Sequence, residues 1–593
     1  MGAWEILRGD LAAATSREFE RRALPVMRLF QPDMIQAPEL AGLDRAGIDL
    51  LVWSDTRTFP WVVQCKGFKE FEELGESQTK QILKSIKKFH ESPYSCEEYV
   101  LVHNRTGENR QAAAAINEAL NALREDGKAT SAQLWDRQTL IKLAKRRLRT
   151  MLVDRMRQEA EQVLSNNEKL FRFGSAYVSD VPVSCQTLTF NPSADLRVDS
   201  VDVYRVAELI LSQSKARWTM LTGPFGTGKT TTALHAARSA GYDVIYVRAE
   251  AMTERGGTEG TNVVFSRIVD ALAVFDDFED TTRTLASRLA GPTLAGVLKG
   301  RQTDFALIID GLDENRIYGK AEGVRQLTNE LAEMRCPIVL TTRKEHFDST
   351  FSNFERLFGK ISQKGRSGRD ARIFCLELWS NRAVKALLKN AIKIAKAEER
   401  PYLENFLHAL EIGRADDIYG GLHRHPLFLQ MILEEIASGI MEHRSRAELI
   451  RNWVERKIKR DINVDRMTPV EIVDEDSFVE LMMTLQERVA SRMTVSESSQ
   501  WSLTEHIGSD IVEREARRIF NDNAVDISSV LGCSVLSAVT PRHRGQMPIR
   551  FLLRVCQEFF IAAYLHRTDQ KPTGYPDPVV ELWEELVEHS VAY

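Results

Sequence analysis

A chain of 593 residues, 43% hydrophobic and 27% charged with 33 Gly and 18 Pro, has the composition of a folded protein and is too long for one hydrophobic core, so three or four folding units are expected. The formal net charge of −5 excludes a chain that is basic throughout and says nothing for or against local basic segments that meet nucleic acid. Cys65, Cys96, Cys185, Cys336, Cys375, Cys533 and Cys556 lie far apart with no CxxC pair, which speaks against a zinc ribbon or disulfide framework and for a reducing compartment.

The start, "MGAWEILRGD", lacks the basic-then-apolar run of a signal peptide, Gly2 is not followed by the Ser or Thr that myristoylation wants, and no apolar stretch approaches the ~18 residues of a membrane span. A cytoplasmic location with no membrane partner is expected. Residues 1–145 mix helix and strand signals: an amphipathic "SREFERRALPVMRLF" with Phe19, Ala23, Met27 and Phe30 on one stripe, the hairpin "GIDLLVWSDTRTFPWVVQCKGF", a helix "SQTKQILKSIKKFH", a strand "EYVLVHN", an alanine-rich helix near 111–124, and "SAQLWDRQTLIKLA". That order predicts a small α/β domain with a mixed sheet.

In the hairpin, Asp49 opens one apolar strand and the return strand carries Gln64 and Lys66, two apart and so on one face. Asp49, Gln64 and Lys66 thus converge at one end, where oxygen ligands and an ammonium suit metal-assisted phosphodiester hydrolysis. From 141 to 164, "IKLAKRRLRTMLVDRMRQEAEQVL" reads as a charged helix joining domains. Its cluster Lys145, Arg146, Arg147, Arg149 is either a solvated face or a contact for DNA phosphates. A polar, strand-like linker follows over 173–200, completing a helical and extended connection over 146–199.

Over 200–375 the strands "WTMLTG", "DVIYVRAEA", "FALIIDGLDE" and "PIVLTTR" alternate with helices, as in a parallel, doubly wound sheet. Between the first strand and its helix stands "GPFGTGKT", the phosphate-loop pattern. Gly223, Pro224, Phe225, Gly226, Thr227, Gly228, Lys229, Thr230 and Thr231 are expected to hold ATP. Backbone N–H groups cradle its phosphates, Lys229 reaches the β- and γ-phosphates, and Thr230 coordinates Mg²⁺. Asp310 ends the third strand where the second Mg²⁺ ligand belongs, and Glu314, with Asp313 as the other choice, is placed to polarise the attacking water. Arg343 is expected to sense the γ-phosphate. Beyond 376 almost all reads helical, and no repeat of 20–50 residues is found.

"DGLDE" followed by a strand ending "TTR" resembles the STAND class of signalling NTPases, in its NACHT and bacterial novel-STAND branches. The resemblance continues in "LELWSNRAVKALLKNA", which opens a helical subdomain over 376–465, in "GLHRHPLFLQMI", whose Pro426 would lie against the adenine, and in "FLLRVCQEFFIAAYL", like a winged-helix subdomain over 466–567. Leu553 occupies the position where that family commonly has a histidine on the bound diphosphate, so the usual contact of an ADP-bound resting state is missing. A tail of 568–593 follows, as a helix or docking site.

The D-x14-QxK spacing resembles the Mrr-like branch of the PD-(D/E)xK restriction nucleases, whose middle position is often glutamine. By this resemblance Asp49, Gln64 and the carbonyl of Cys65 hold Mg²⁺ or Mn²⁺, a carbonyl oxygen being a proper ligand for a hard cation, and Lys66 positions the water. The same branch carries a glutamate in an "FE" dipeptide on its first helix, here Glu20, with Glu18 as the alternative, and a glutamine on the following helix, here Gln78. Together the two resemblances imply a nuclease on double-stranded DNA, held in check until ATP drives a self-oligomer, a tetramer or other closed assembly. They further imply antiphage defence triggered by a phage-derived molecule or a separate sensor protein. Two alternatives stay open: an ATP-dependent restriction enzyme that reads modified DNA directly, and a regulator that binds DNA without cutting it.

Overall fold

The computed structural model describes residues 2–37, 43–69, 73–108, 110–176, 182–191, 194–204, 218–224, 226–252, 263–272, 274–275, 278–300, 305–315, 317–318, 320–344, 346–347, 372–442, 445–465, 474–497, 500–504, 506–520, 527–538 and 548–591. They form two compact units, Met1–Arg155 with Glu254–Gly300, and Met156–Thr253 with Arg301–Tyr593.

The first unit begins with helices α1 (Ala3–Ala13) and α2 (Ser16–Met27). There follow β1 (Met34–Gln36), β2 (Leu50–Val52), β3 (Thr58–Lys66), α3 (Glu76–Glu91), β4 (Ser95–His103), α4 (Arg110–Glu125), β5 (Ala129–Trp135) and the first half of α5 (Arg137–Leu170). The strands stand in sequence order, with β1–β2–β3 antiparallel and β3–β4–β5 parallel. Parallel neighbours need a crossover, and α3 and α4 supply the two. Both lay their apolar stripes on one sheet face: Ile82, Ile86 and Phe89 of α3, and Ile116, Leu120 and Leu123 of α4, meet Val62, Tyr99 and Leu101 there. On α2 the buried residues are Phe19, Ala23, Val26 and Met27. Phe30, expected on that stripe, lies beyond the helix end and packs with its ring centroid 5.3 Å from that of Trp135.

The basic cluster of α5 is partly occupied within this unit. Arg147 Nε donates to Leu29 O at 3.1 Å, and Lys145 Nζ lies 5.1 Å from the Trp4 ring centroid.

In the second unit β6 (Pro182–Asn191) and β7 (Ala194–Tyr204) precede β8 (Trp218–Thr222), α6 (Lys229–Ser239) and β9 (Asp243–Arg248). The chain then runs through α7 (Val263–Leu272) and α8 (Asp280–Leu298), which count with the first unit. There Trp4 Nε1 donates to Thr293 Oγ1 at 3.1 Å and Arg28 pairs with Glu279. Next come β10 (Phe305–Asp310), α9 (Ala321–Leu331), β11 (Ile338–Thr341) and β12 (Arg372–Leu376). The sheet order is β7-β6-β12-β8-β11-β10-β9, the last five strands parallel and β6 antiparallel to β12. This is a P-loop α/β fold. The stretch read as an extended linker thus supplies two strands of the sheet. A polar strand carries no sign of its partner, and pairing with β12 is decided by tertiary contact.

Helices α10 (Asn381–Ile394), α11 (Arg400–Glu411), α12 (Arg414–Tyr419), α13 (Pro426–Ala437) and α14 (Arg446–Asp465) follow. Ser380 caps α10 by accepting from Ala383 N, and Trp379, Leu387 and Leu429 share one core with Leu221 and Ala233 of the sheet layer. After α15 (Glu475–Arg492) come the hairpin β13 (Thr494–Glu497) and β14 (Gln500–Leu503), then β15 (Ile507–Gly508), α16 (Ser509–Phe520), α17 (Ile527–Gly532), β16 (Leu536–Ala538), β17 (Pro548–Phe551), α18 (Arg554–Arg567) and α19 (Asp577–Val591). Strands β15, β17 and β16 form a small antiparallel sheet beside α18, nearly all of which is buried. The terminal helix α19 is tied to α14 by Arg446, whose guanidinium meets Glu585 at 2.7 Å and Glu581 at 2.9 Å. Among the described residues no helix is long and apolar enough to cross a membrane.

Candidate functional site

Strand β8, buried along its whole length, ends at Thr222 and the chain turns at once into the loop 223–228. The turn needs glycine: Gly223 has φ +151, and a Cβ there would stand 2.7 Å from Leu376 O. Gly226 and Gly228 have φ of +73 and +85, and Gly228 is the N-cap of α6, so the loop leads into a helix N-terminus with its N–H groups free of side-chain caps. Phe225 lies outside the described residues. Thr227 Oγ1 donates to Pro224 O at 2.9 Å, closing the loop on itself.

Lys229 is folded back over the loop, its ammonium donating to Gly223 O at 3.0 Å and Pro224 O at 2.9 Å. Burial lowers its pKa from the usual lysine value, and Asp313 partly restores it. The hydroxyl of Thr230 donates to Asp310 Oδ2 at 2.8 Å. The same carboxylate accepts from Tyr246 Oη at 2.8 Å and Thr341 Oγ1 at 2.5 Å, while Thr341 Oγ1 accepts from Gly311 N at 2.8 Å. Tyr246 is buried, and desolvation followed by the Asp310 charge holds its phenol well above the usual value, so it stays a donor. Arg343 Nε lies 3.0 Å from Asp313 Oδ2, and its backbone N–H donates to Asp313 Oδ1 at 2.9 Å.

These groups line one end of a cavity of about 320 Å³, together with Thr231 and Glu314. Its other walls are Val163, Leu164 and Phe171 from α5 and the turn after it, Pro426, Leu427 and Gln430 from α13, and Arg550, Leu553 and Arg554 from β17 and α18. Paired oxygen donors such as Thr230 and Asp310 fit a magnesium ion that completes its shell with water and phosphate oxygens. Tyr246, Thr341, Gln430, Arg550 and Arg554 were not singled out by the sequence reading. Tyr246 and Thr341 were visible as polar residues in apolar strands; nothing in the sequence pointed to the others.

At the hairpin, Asp49 stands one step before the Leu50–Val63 pair, hence opposite Gln64. Its Oδ2 accepts from Cys65 N at 2.7 Å. Gln64 is 1% exposed and its Oε1 accepts from Tyr99 Oη at 2.9 Å, which leaves one acceptor position on that oxygen. Gly67 lets the start of α2 approach: a Cβ there would meet Ser16 N at 2.6 Å and Phe19 Cβ at 2.7 Å. That approach brings Glu20 within electrostatic range of the hairpin, its carboxyl raised by burial and then by Asp49, and lowered by Lys66. The Cys65 thiol is buried and raised well above its usual value by desolvation, then by Asp49 and Glu20, so only its backbone carbonyl is a candidate ligand.

Glu18 lies on the outer side, paired with Arg22 at 2.5 Å. Gln78 sits in the first turn of α3, half-buried. Among the described residues no three His, Cys, Asp or Glu side chains gather closely enough to hold a metal ion, so oxygen ligands here would include amide or backbone carbonyls beside Glu20 and Asp49.

No protein-family model matches the chain, and no curated protein matches it. Among solved structures it is similar to Cdc6p from Pyrobaculum aerophilum, at 13% identity over 60% of this chain and 91% of that one, with a TM-score of 0.26. It is similar also to the Aeropyrum pernix ORC1 protein in complex with DNA (14% identity, 61% and 91% covered, TM-score 0.23) and to the ORC2 protein of the same organism in its ADP form (13%, 60% and 93%, TM-score 0.24). Likeness at this level carries no function across.

Proposed function

We propose that this protein is a nucleotide-switched DNA nuclease of the STAND type, in which ATP binding drives self-association and licenses an N-terminal Mrr-like domain to cut double-stranded DNA. The observation that carries the reading is the convergence of Lys229, Thr230, Asp310 and Arg343 on one cavity whose far wall is built by α13, β17 and α18. A nucleotide there touches the P-loop and the C-terminal helices at once, and a ligand that bridges two elements can bias how they pack. The small sheet β15-β17-β16 with α16 to α18 around it supports the winged-helix reading of that segment. In place of the histidine missing at Leu553, Arg550 and Arg554 line the cavity.

In this reading Lys229 and the N–H groups at the start of α6 bind the phosphates, and Thr230 with Asp310 would hold Mg²⁺. Glu314 orients the attacking water, and Arg343 exchanges Asp313 for the γ-phosphate. In the N-terminal domain Glu20, Asp49, the Gln64 amide and the Cys65 carbonyl would hold Mg²⁺ or Mn²⁺, and Lys66 positions the water. Support comes from the element order, two antiparallel steps then two parallel ones, and from the mutual repulsion of Glu20 and Asp49, which a divalent cation relieves. A closed oligomer would bring several hairpins to one duplex. A phage-derived trigger or a partner sensor that sets it off, and hence antiphage defence, is part of the proposal.

The test is the purified chain with plasmid DNA, with and without ATP and Mg²⁺, read by light scattering and by gel. At a protein concentration high enough to favour assembly without the trigger, ATP should raise the mass and give linear DNA. Asp49→Ala and Lys66→Ala should assemble alike and leave the plasmid intact, and cutting by both at the wild-type rate would remove the nuclease. A second reading, DNA binding without cutting, is favoured by the Tyr99 hydroxyl on Gln64 Oε1. It predicts a gel shift with intact plasmid under every condition.

A further inference from the structure

Helix α13 carries one polar side chain, Gln430, into the lining of the cavity. Pro426 begins the helix, and Gln430, one turn later and on the same side, also lines the cavity. Gln430 is 7% exposed, and its Oε1 is buried with no hydrogen-bond partner among the described residues. An amide oxygen in that state bears the desolvation cost of an unmade bond. Its helix neighbours Leu429, Met431, Ile432 and Leu433 are fully buried and apolar, so packing alone would be served by leucine or methionine.

The cavity's lining is of two kinds: Lys229, Asp310 and Arg343 are charged groups suited to phosphate and Mg²⁺, whereas Val163, Leu164, Phe171, Pro426 and Leu427 offer apolar surface that suits the faces of a nucleobase. Two amides line the cavity, and Gln557 is engaged by Thr504 O and Arg554, which leaves Gln430 as the amide with an unmet oxygen. A primary amide presents an acceptor beside a donor, and a half-turn about its last bond exchanges the two. The adenine edge presents the complement, the 6-amino donor beside the N1 acceptor. Guanine could meet the turned amide with O6 and N1–H, but its 2-amino group would then face apolar walls without an acceptor.

We infer that Gln430 reads the base, pairing its side-chain amide with the 6-amino group and N1 of adenine, and so makes the cavity an adenine-nucleotide site. The inference rests on the nucleotide reading of the cavity, and the experiment separates the two. Equilibrium binding to the full chain is measured for ATP, inosine triphosphate, GTP, purine riboside triphosphate, which lacks the 6-amino group, and inorganic tripolyphosphate. Wild type should bind ATP about tenfold tighter than purine riboside triphosphate and than GTP, with inosine triphosphate close to ATP. Q430M, of similar length and apolar, should bind ATP and purine riboside triphosphate equally and tripolyphosphate as wild type does. An unchanged ATP preference in Q430M overturns the inference while leaving the nucleotide site standing. Undiminished ATP binding by Lys229→Ala overturns both. Should Q430M fail to fold, the wild-type series decides: equal affinity for ATP and purine riboside triphosphate removes the role of Gln430.

Discussion

Replacing Lys229 by methionine separates what the lysine does for the fold from what it does for a ligand. Its ammonium is part-buried and donates to two loop carbonyls, at 2.9 and 3.0 Å. Methionine loses those bonds and also removes a partly desolvated charge, two effects of opposite sign, so unfolding should change by about 1 kcal/mol or less. With nucleotide the balance differs. Two charge-assisted bonds to phosphate, at ~1.5–3 kcal/mol each, amount to roughly two to four orders of magnitude in affinity. Thermal melting with increasing ATP and Mg²⁺ reads both quantities. At a hundred times its Kd, ATP stabilises wild type by about 2.7 kcal/mol. Spread over the unfolding entropy of the second unit, of about 390 residues, that is a rise of roughly 3 °C. Lys229→Met should melt within about a degree of wild type without ligand and show no rise with it. An ATP-dependent rise equal to that of wild type would refute the assignment of the loop as a phosphate site.

Gly226→Ala places a side chain at φ +73 beside Leu427, and the left-handed backbone alone costs about 1 kcal/mol; ATP binding should weaken at least tenfold, measured by titration calorimetry. Glu20, raised above its ordinary value of 4.5, should hold a proton to a higher pH than a free glutamate, so metal-dependent cutting should decline early on acidification, and Glu20→Gln should remove that limb from the pH–rate profile. The stability sign agrees: between 4.5 and the raised value the folded chain binds more protons than the unfolded one, so Glu20 destabilises as pH rises through this window. Arg446→Ala removes the ties to Glu581 and Glu585, and hydrogen exchange in α19 should accelerate by about tenfold.

The P-loop core was legible because its signals are local. A glycine pattern, a lysine and an acid at a strand end each lie within a few residues of the element that positions them, and Gly223, Lys229 and Asp310 stand together where the strand–loop–helix order put them. What escaped was non-local. Residues 185–189 pair with β12, almost two hundred residues away, while β7 joins the sheet only through β6, and α8 leaves the core to pack against α1 and α2 with α7 on it. Tyr246 reaches Asp310 only because β9 lies beside β10 in parallel register. The hairpin was legible in its spacing and not in its hydrogen bonds. That Glu20 faces the hairpin while Glu18 faces solvent depends on the close approach at Gly67, which a helical wheel does not contain.

The two candidate sites balance charge in opposite ways, and this bears on how one could govern the other. In the P-loop cavity Asp310 is met by three hydroxyls and Asp313 by Arg343, so a triphosphate that engages Arg343 meets a guanidinium already held through Nε by a carboxylate. Under the proposed function the third phosphate competes with Asp313 for Arg343, the kind of differential contact by which a ligand biases a two-state element. At the hairpin Glu20 is raised by burial and by the neighbouring Asp49 charge, with Lys66, Arg17 and Arg21 offsetting only part of it, a state that favours uptake of a cation or a proton. The first site is built to exchange partners and the second to accept one. Under the proposed function, that asymmetry matches a division of labour in which nucleotide would set the conformation and a metal taken up at the hairpin would act only afterwards.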